Sequence, residues 1–142
     1  MIEIRPPRDQ TEMDAALELR YEVFCVEQGV SLEEELDGRD DEALQLVALD
    51  EGAVVATCRL LVEGTTATLG RMAVARSRRG LGLARRLLDE AECRARELGS
   101  ERVVLSSQLG ARELYARAGY AAYGEVFLDA GIEHVIMAKP LA

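Results

Sequence analysis

The stretch LGRMAVARSRRGLGLARRLL, residues 69–88, runs from a short apolar strand pattern into a glycine-broken turn and leaves it as a leucine-rich helix. No acid stands between Arg71 and Arg86, although the chain of 142 residues carries a formal net charge of −9. A strand that turns through Gly80 and Gly82 into a helix leaves the first backbone N–H groups of that helix free. That end carries about half an elementary positive charge. Glycine lacks the Cβ that would keep an anion away from those amides. Arg76, Arg78 and Arg79 add charge at the same mouth. The turn reads as a cradle for phosphate oxygens.

Several phosphate-binding patterns fail here. A P-loop needs GxxxxGK[ST], and the only lysine of the chain is Lys139. The dinucleotide pattern GxGxxG puts a small residue where this chain has Arg85. Nucleic acid would require a broad basic face, which an isoelectric point near 4.7 argues against.

Working outward, IEIR opens as a strand stopped by Pro6 and Pro7. Thr11 then caps a helix with Met13, Ala16, Leu17, Arg20, Val23 and Phe24 on one face, ending at Gly29. Residues 43–74 read as three strands of an antiparallel meander, broken at Asp50-Glu51-Gly52 and Glu63-Gly64-Thr65. The helix after the cradle buries Leu83, Leu87, Leu88, Ala91, Ala95 and Leu98 and stops at Gly99. RVVLSS is a buried strand, ARELYARAG a short helix, and two last strands turn at Asp129-Ala130-Gly131. The order β-α-β-β-β-α-β-α-β-β predicts a single α/β domain over residues 1–142. It is expected to be a three-layer sandwich on a mixed, mostly antiparallel sheet.

Charge divides unevenly. Residues 1–70 hold seventeen acids and five arginines, and residues 71–142 hold nine acids and twelve bases. The halves read as two faces of one domain, one for an anion and one for a cation. The acidic run SLEEELDGRDDE, residues 31–42, reads as a solvated loop. Cys25, Cys58 and Cys93 are too far apart for a disulfide framework or a zinc cluster and read as small buried hydrophobes. With His134 the only histidine, no metal site is expected. No secretory signal opens the chain, and no stretch approaches the roughly 20 apolar residues of a membrane span. The expected location is the cytoplasm, with no membrane partner.

Arg79-Gly80-Leu81-Gly82-Leu83-Ala84 matches the [RQ]xxGx[GA] signature of the GNAT superfamily of N-acetyltransferases. Residues 108–120, QLGARELYARAGY, resemble the second motif of that family, NxxAxxxYxxxGF, with Gln108 in place of the usual Asn. RYEVFCVEQG and FLDAGIEH are similar to a small single-domain bacterial subgroup of largely unassigned substrate. The resemblance implies acetyl-coenzyme A as co-substrate. Its contacts would be Met72, Ala73, Val74, Arg79, Gly80, Leu81, Gly82, Leu83, Ala84, Gln108 and Tyr115. It also implies that the strand through Met72 splays from its neighbour. The implied activity is direct transfer of an acetyl group to a primary amine of a small molecule or peptide in a ternary complex. The alternative is a catalytically silent coenzyme A-binding sensor. The net acidity favours a cationic acceptor, and a homodimer stays open.

Acetyl transfer needs a polarised thioester carbonyl, a neutral amine and a protonated leaving thiolate. Main-chain N–H groups of residues 72–74 answer the first need. Tyr115 resembles the general acid of the family. For the amine proton the sequence offers His134, whose imidazole suits neutral pH, beside Glu133, and Glu27 at the end of the first helix. Arg20 and Arg71 are expected to pair with acids rather than to react.

Overall fold

Seven strands form one sheet in the computed structural model, which describes residues 1–141. They are β1 (Ile2–Arg5), β2 (Leu44–Asp50), β3 (Ala53–Glu63), β4 (Thr66–Val74), β5 (Arg102–Gln108), β6 (Ala121–Asp129) and β7 (Ile132–Pro140). Their spatial order is β1-β2-β3-β4-β5-β7-β6, and only β4 and β5 pair in parallel. The helices are α1 (Gln10–Arg20), α2 (Leu32–Glu35), α3 (Leu83–Glu97) and α4 (Arg112–Arg117). The meander follows from its turns. Glu51 and Gly52, at φ 50° and 86°, join β2 to β3 in the left-handed pair that matches strand twist.

Alternation along β2 assigns the layers. Leu46 and Ala48 pack with Leu83, Leu87, Leu88 and Ala91 of α3, while Val47 and Leu49 pack with Ala16 of α1. The sheet is therefore covered on both faces, with Tyr115 and Ala118 of α4 in the α3 cluster. The α3 C-terminus closes as expected: Gly99, at φ 85°, donates to the Arg96 carbonyl and Ser100 to that of Ala95. Behind α3, buried Glu92 accepts from the Tyr120 hydroxyl and from Lys139, both at 2.9 Å.

Several sequence expectations are corrected. The α1 cap is Asp9, whose carboxylate accepts from the Glu12 amide at 2.9 Å, and not Thr11. The helix then widens into a π-helical stretch, Tyr21–Glu27. Leu98 is largely exposed and Glu92 takes its place in the buried stripe. Cys58 is buried, but Cys93 is exposed and Cys25 half-buried. The acidic run is not a loose solvated loop. Ser31 caps α2, and Glu35 lies buried. Nor are the two charged halves separate faces, because Arg71 meets Glu35 and Asp37, Arg78 meets Asp50, and Arg79 meets Glu27.

One irregularity positions the site. Arg59 of β3 pairs with Gly70 of β4, but Thr57 pairs with Ala73, so β4 carries one extra residue there. Arg71 sits in that bulge at φ 53°, an unusual conformation for a side-chain-bearing residue. Pairing between β4 and β5 ends at Leu69↔Leu105, whereas β5 stays paired with β7 as far as Gln108↔His134. Past Leu69 the sheet opens.

Candidate active site at the opening of the sheet

The opening is a cavity of about 290 Å³ that passes between the two helical layers. Its walls include Met72 on β4, Ser106, Ser107 and Gln108 on β5, Phe24 on the π-helical segment and Gln28 just after it, Arg59, Arg71, Tyr115 and His134. Tyr115 enters from the α3 side, within the core cluster that also holds Val135 and Met137. His134 alternates with Val135 on β7 and so projects from the α1 side. The opening thus brings together a phenol and an imidazole rooted on opposite faces of one sheet.

Tyr115 is 7% exposed and packs edge-on against Tyr120, 6.0 Å between ring centroids. Burial, with a smaller effect of nearby Cys58, pushes its phenol up to about 12, so it stays protonated at neutral pH. Its hydroxyl has no hydrogen-bond partner among the described residues. The Nδ1 of His134 lies 2.7 Å from the Ile132 carbonyl. That atom must carry the proton to make this bond, which leaves the Nε2 lone pair free. Phe127 stacks on the ring at 5.9 Å and an interplanar angle of 27°. Glu133, one residue earlier, is exposed and projects from the other face, away from the imidazole.

The α1 side of the cavity is held by ions. Buried Arg20 donates to Glu35 at 2.6 Å and to Asp40 at 2.7 Å. Arg59 forks onto Asp37 and reaches Asp40 at 3.1 Å. Arg71 donates to the Glu35 carbonyl at 2.9 Å and lies 3.5 Å from the Glu35 and Asp37 carboxylates. The Arg59 guanidinium holds the Asp37 carboxyl far below the usual range. Burial works against the charge of Asp40, yet Arg20, Gln45 and Arg59 together hold its carboxyl low. Three guanidiniums balance three carboxylates. Arg20 and Arg71 thus pair with acids, namely Glu35, Asp37 and Asp40.

The glycine turn lies apart from the cavity, along a shallow groove lined by Val74, Arg79, Gly80, Gly82, Leu83 and Ala84. Ala73 is buried, and Leu81 turns its side chain out at 66% exposure. Gly80 and Gly82 have φ of 78° and 80°, and a Cβ on either would meet nothing within 4 Å. What these glycines keep clear is the space in front of the α3 amides, which no side chain caps. That geometry fits a pyrophosphate. Glu27 is expected near the acceptor; instead its carboxylate forks onto Arg79 at 2.9 Å for both oxygens. Arg79, aided by Arg76, holds that carboxyl below its ordinary range, which makes it a poor base. One residue on, Gln28 accepts from Gln108 at 2.9 Å.

Phe24, Gln28, Arg59, Ser106, Ser107 and Ala130 line the cavity without having stood out in the sequence. Arg59 alone left a signal, as a charged residue inside an apolar strand run. Residues 8–141 match the family model of the acetyltransferase (GNAT) domain. The chain is 32% identical over 133 residues to YjcF of Bacillus subtilis, named an uncharacterized N-acetyltransferase, covering 93% of this chain and 95% of that protein. An acyl-CoA N-acyltransferase from Pseudomonas aeruginosa superposes with a TM-score of 0.85 at 31% identity, over 98% of each chain. An aminoglycoside 6'-N-acetyltransferase solved with coenzyme A shares the fold alone, with a TM-score of 0.79 at 17% identity, over 100% of this chain and 97% of that one. An opened mixed sheet, a glycine turn before α3 and matches along nearly the whole length agree: the chain belongs to the GNAT family of acetyltransferases and is an acyltransferase.

Proposed function

We propose that the protein transfers an acetyl group from acetyl-coenzyme A directly to a primary amine held in the same cavity. The observation that carries this reading is the pair of unpartnered atoms, the Tyr115 hydroxyl and His134 Nε2, offered from opposite faces of the opening. The free amides at the start of α3, with Gly80 and Gly82, would hold the pyrophosphate, and Arg79 would turn to it from Glu27. Met72, Ala73 and Val74, whose strand has no partner on the β5 side past Leu69, would lie along the pantetheine arm. The bound thioester supplies the activated acyl group. His134 Nε2 takes the proton that the amine must lose. Tyr115 donates a hydrogen bond to the departing sulfur. Full transfer from a phenol near 12 to a thiolate near 8.5 is uphill by about 5 kcal/mol, so positioning and a later proton source complete that step.

Acetyl-coenzyme A-dependent modification of an amine panel tests the reading. Tyr115→Phe is expected to lower kcat about a hundredfold while coenzyme A still raises Tm. His134→Asn is expected to lower kcat/KM at neutral pH about a hundredfold. Loss below threefold in both variants, with chemistry rate-limiting, would sink the assignment.

A further inference from the structure

We infer that the acceptor is a small aliphatic amine carrying a second ammonium group, which Glu34 and Asp129 hold while the first reacts at His134. This rests on the reading of the cavity as an amine acetyltransferase site. The charges of the wall decide it. Arg59 is consumed by Asp37 and Asp40, and Arg71 by the carbonyls of Glu34 and Glu35 with the carboxylates of Glu35 and Asp37. Glu35 is consumed by Arg20. Two carboxylates of the lining remain. The Glu34 carboxylate accepts only from the hydroxyl of its own cap, Ser31, at 3.0 Å, and Asp129 has no cationic partner among the described residues. No lining cation remains uncompensated, so the residual field of the cavity is negative.

Placement matches the chemistry. Asp129 stands two residues from Phe127 on β6, and Phe127 is the cross-strand partner of His134 and stacks on it. All three therefore share the α1 face. As a diagonal cross-strand neighbour, the Asp129 position lies about 7–8 Å from that of His134, close to the span of a short aliphatic diamine. His134 is itself about nine-tenths buried, with Nε2 unpartnered in the same opening, so a group that engages it is called for on that face. Glu34 reaches the cavity from α2, which Arg71 pins by its carbonyls.

The test compares 1,4-diaminobutane with 1-aminobutane as acceptors at low ionic strength. Wild type is expected to prefer the diamine about fivefold to tenfold in kcat/KM, as two partly exposed ion pairs allow. In Glu34→Gln/Asp129→Asn, checked for folding by circular dichroism and Tm, that ratio should fall to near parity. A ratio kept by the double variant, or absent from an active wild type, overturns the inference. Calorimetry of the coenzyme A-saturated protein with 1,4-diaminobutane separates the two claims. Should no amine be acetylated, the catalytic reading fails, and the ammonium site then stands if the diamine binds wild type tighter than the variant and falls if it does not.

Discussion

In the ionic wall of the opening, every guanidinium has a carboxylate; the Tyr115 hydroxyl and His134 Nε2 have no partner among the described residues. Both sides are buried and both are polar, so burial does not distinguish them. Satisfaction does. The arginines and acids of the ionic wall spend most of their hydrogen bonds on one another and on the Glu34 and Glu35 carbonyls, which fixes α2 against β3 and β4, although Arg59 Nε is buried without a partner. The Tyr115 hydroxyl and His134 Nε2 have no partner among the described residues; Tyr120 packs against the phenol, while Phe127 stacks on the imidazole and its Nδ1 donates to the Ile132 carbonyl. Paired groups make shape, and unpaired groups in the same cavity are available for chemistry.

Breaking the ionic wall should have the largest effect. Arg20→Ala leaves Glu35 and Asp40 without their shared cation, and removing one member of a buried ion network typically costs about 3–5 kcal/mol. Urea unfolding followed by circular dichroism reads this directly; a loss under about 1 kcal/mol would mean that the wall is not held by its ions.

A milder change sharpens the same contrast by pH. Asp37 and Asp40 have folded-state carboxyls held below their unfolded values, so their contribution to stability is complete above about pH 4. It is lost as pH falls through the lowered folded values. Asp37→Asn is expected to flatten the acid limb of Tm against pH without moving the plateau near neutrality upward. An unchanged acid limb in the variant would assign acid unfolding to other groups.

The smallest effect is expected where the two regions meet the glycine turn. Glu27→Gln releases Arg79 from an exposed pair, and such pairs are worth about 0.2–1 kcal/mol. KM for acetyl-coenzyme A should fall by no more than about fivefold, with kcat for an amine unchanged within twofold. A hundredfold fall in kcat would restore Glu27 to the chemistry.

These regions were unequally legible in the sequence. The glycine turn, the amphipathic α3 and the hairpin turns are local features, written in residues a few positions apart, and they read out as element order and sheet type. Tyr115 and Gln108 were legible through the resemblance of a single segment. The ionic wall was not, because it joins residues 20, 35, 37, 40, 59 and 71 across α1, α2, the segment after it, β3 and β4. A run of acids looks the same whether solvent or buried arginine faces it. The Glu27–Arg79 pair was equally hidden, because it joins residues 52 apart, and nothing in the apolar spacing announces the π-helical stretch Tyr21–Glu27 that carries Glu27.

The opening of the sheet also has a consequence for how the chain assembles. Strands β1 to β4 and strands β5 to β7 are two sub-sheets joined by only four register pairs, from Thr66↔Arg102 to Leu69↔Leu105. Each of those pairs bridges 36 residues of chain and must wait for α3 to fold back over it, whereas the β2–β3 and β6–β7 hairpins close through two-residue turns. Contacts of such sequence separation are reached late, because loop closure is entropically costly before they form. The seam that permits a cleft is thus among the late-forming parts of the topology, together with the β1–β2 pairs, which bridge 42 to 48 residues.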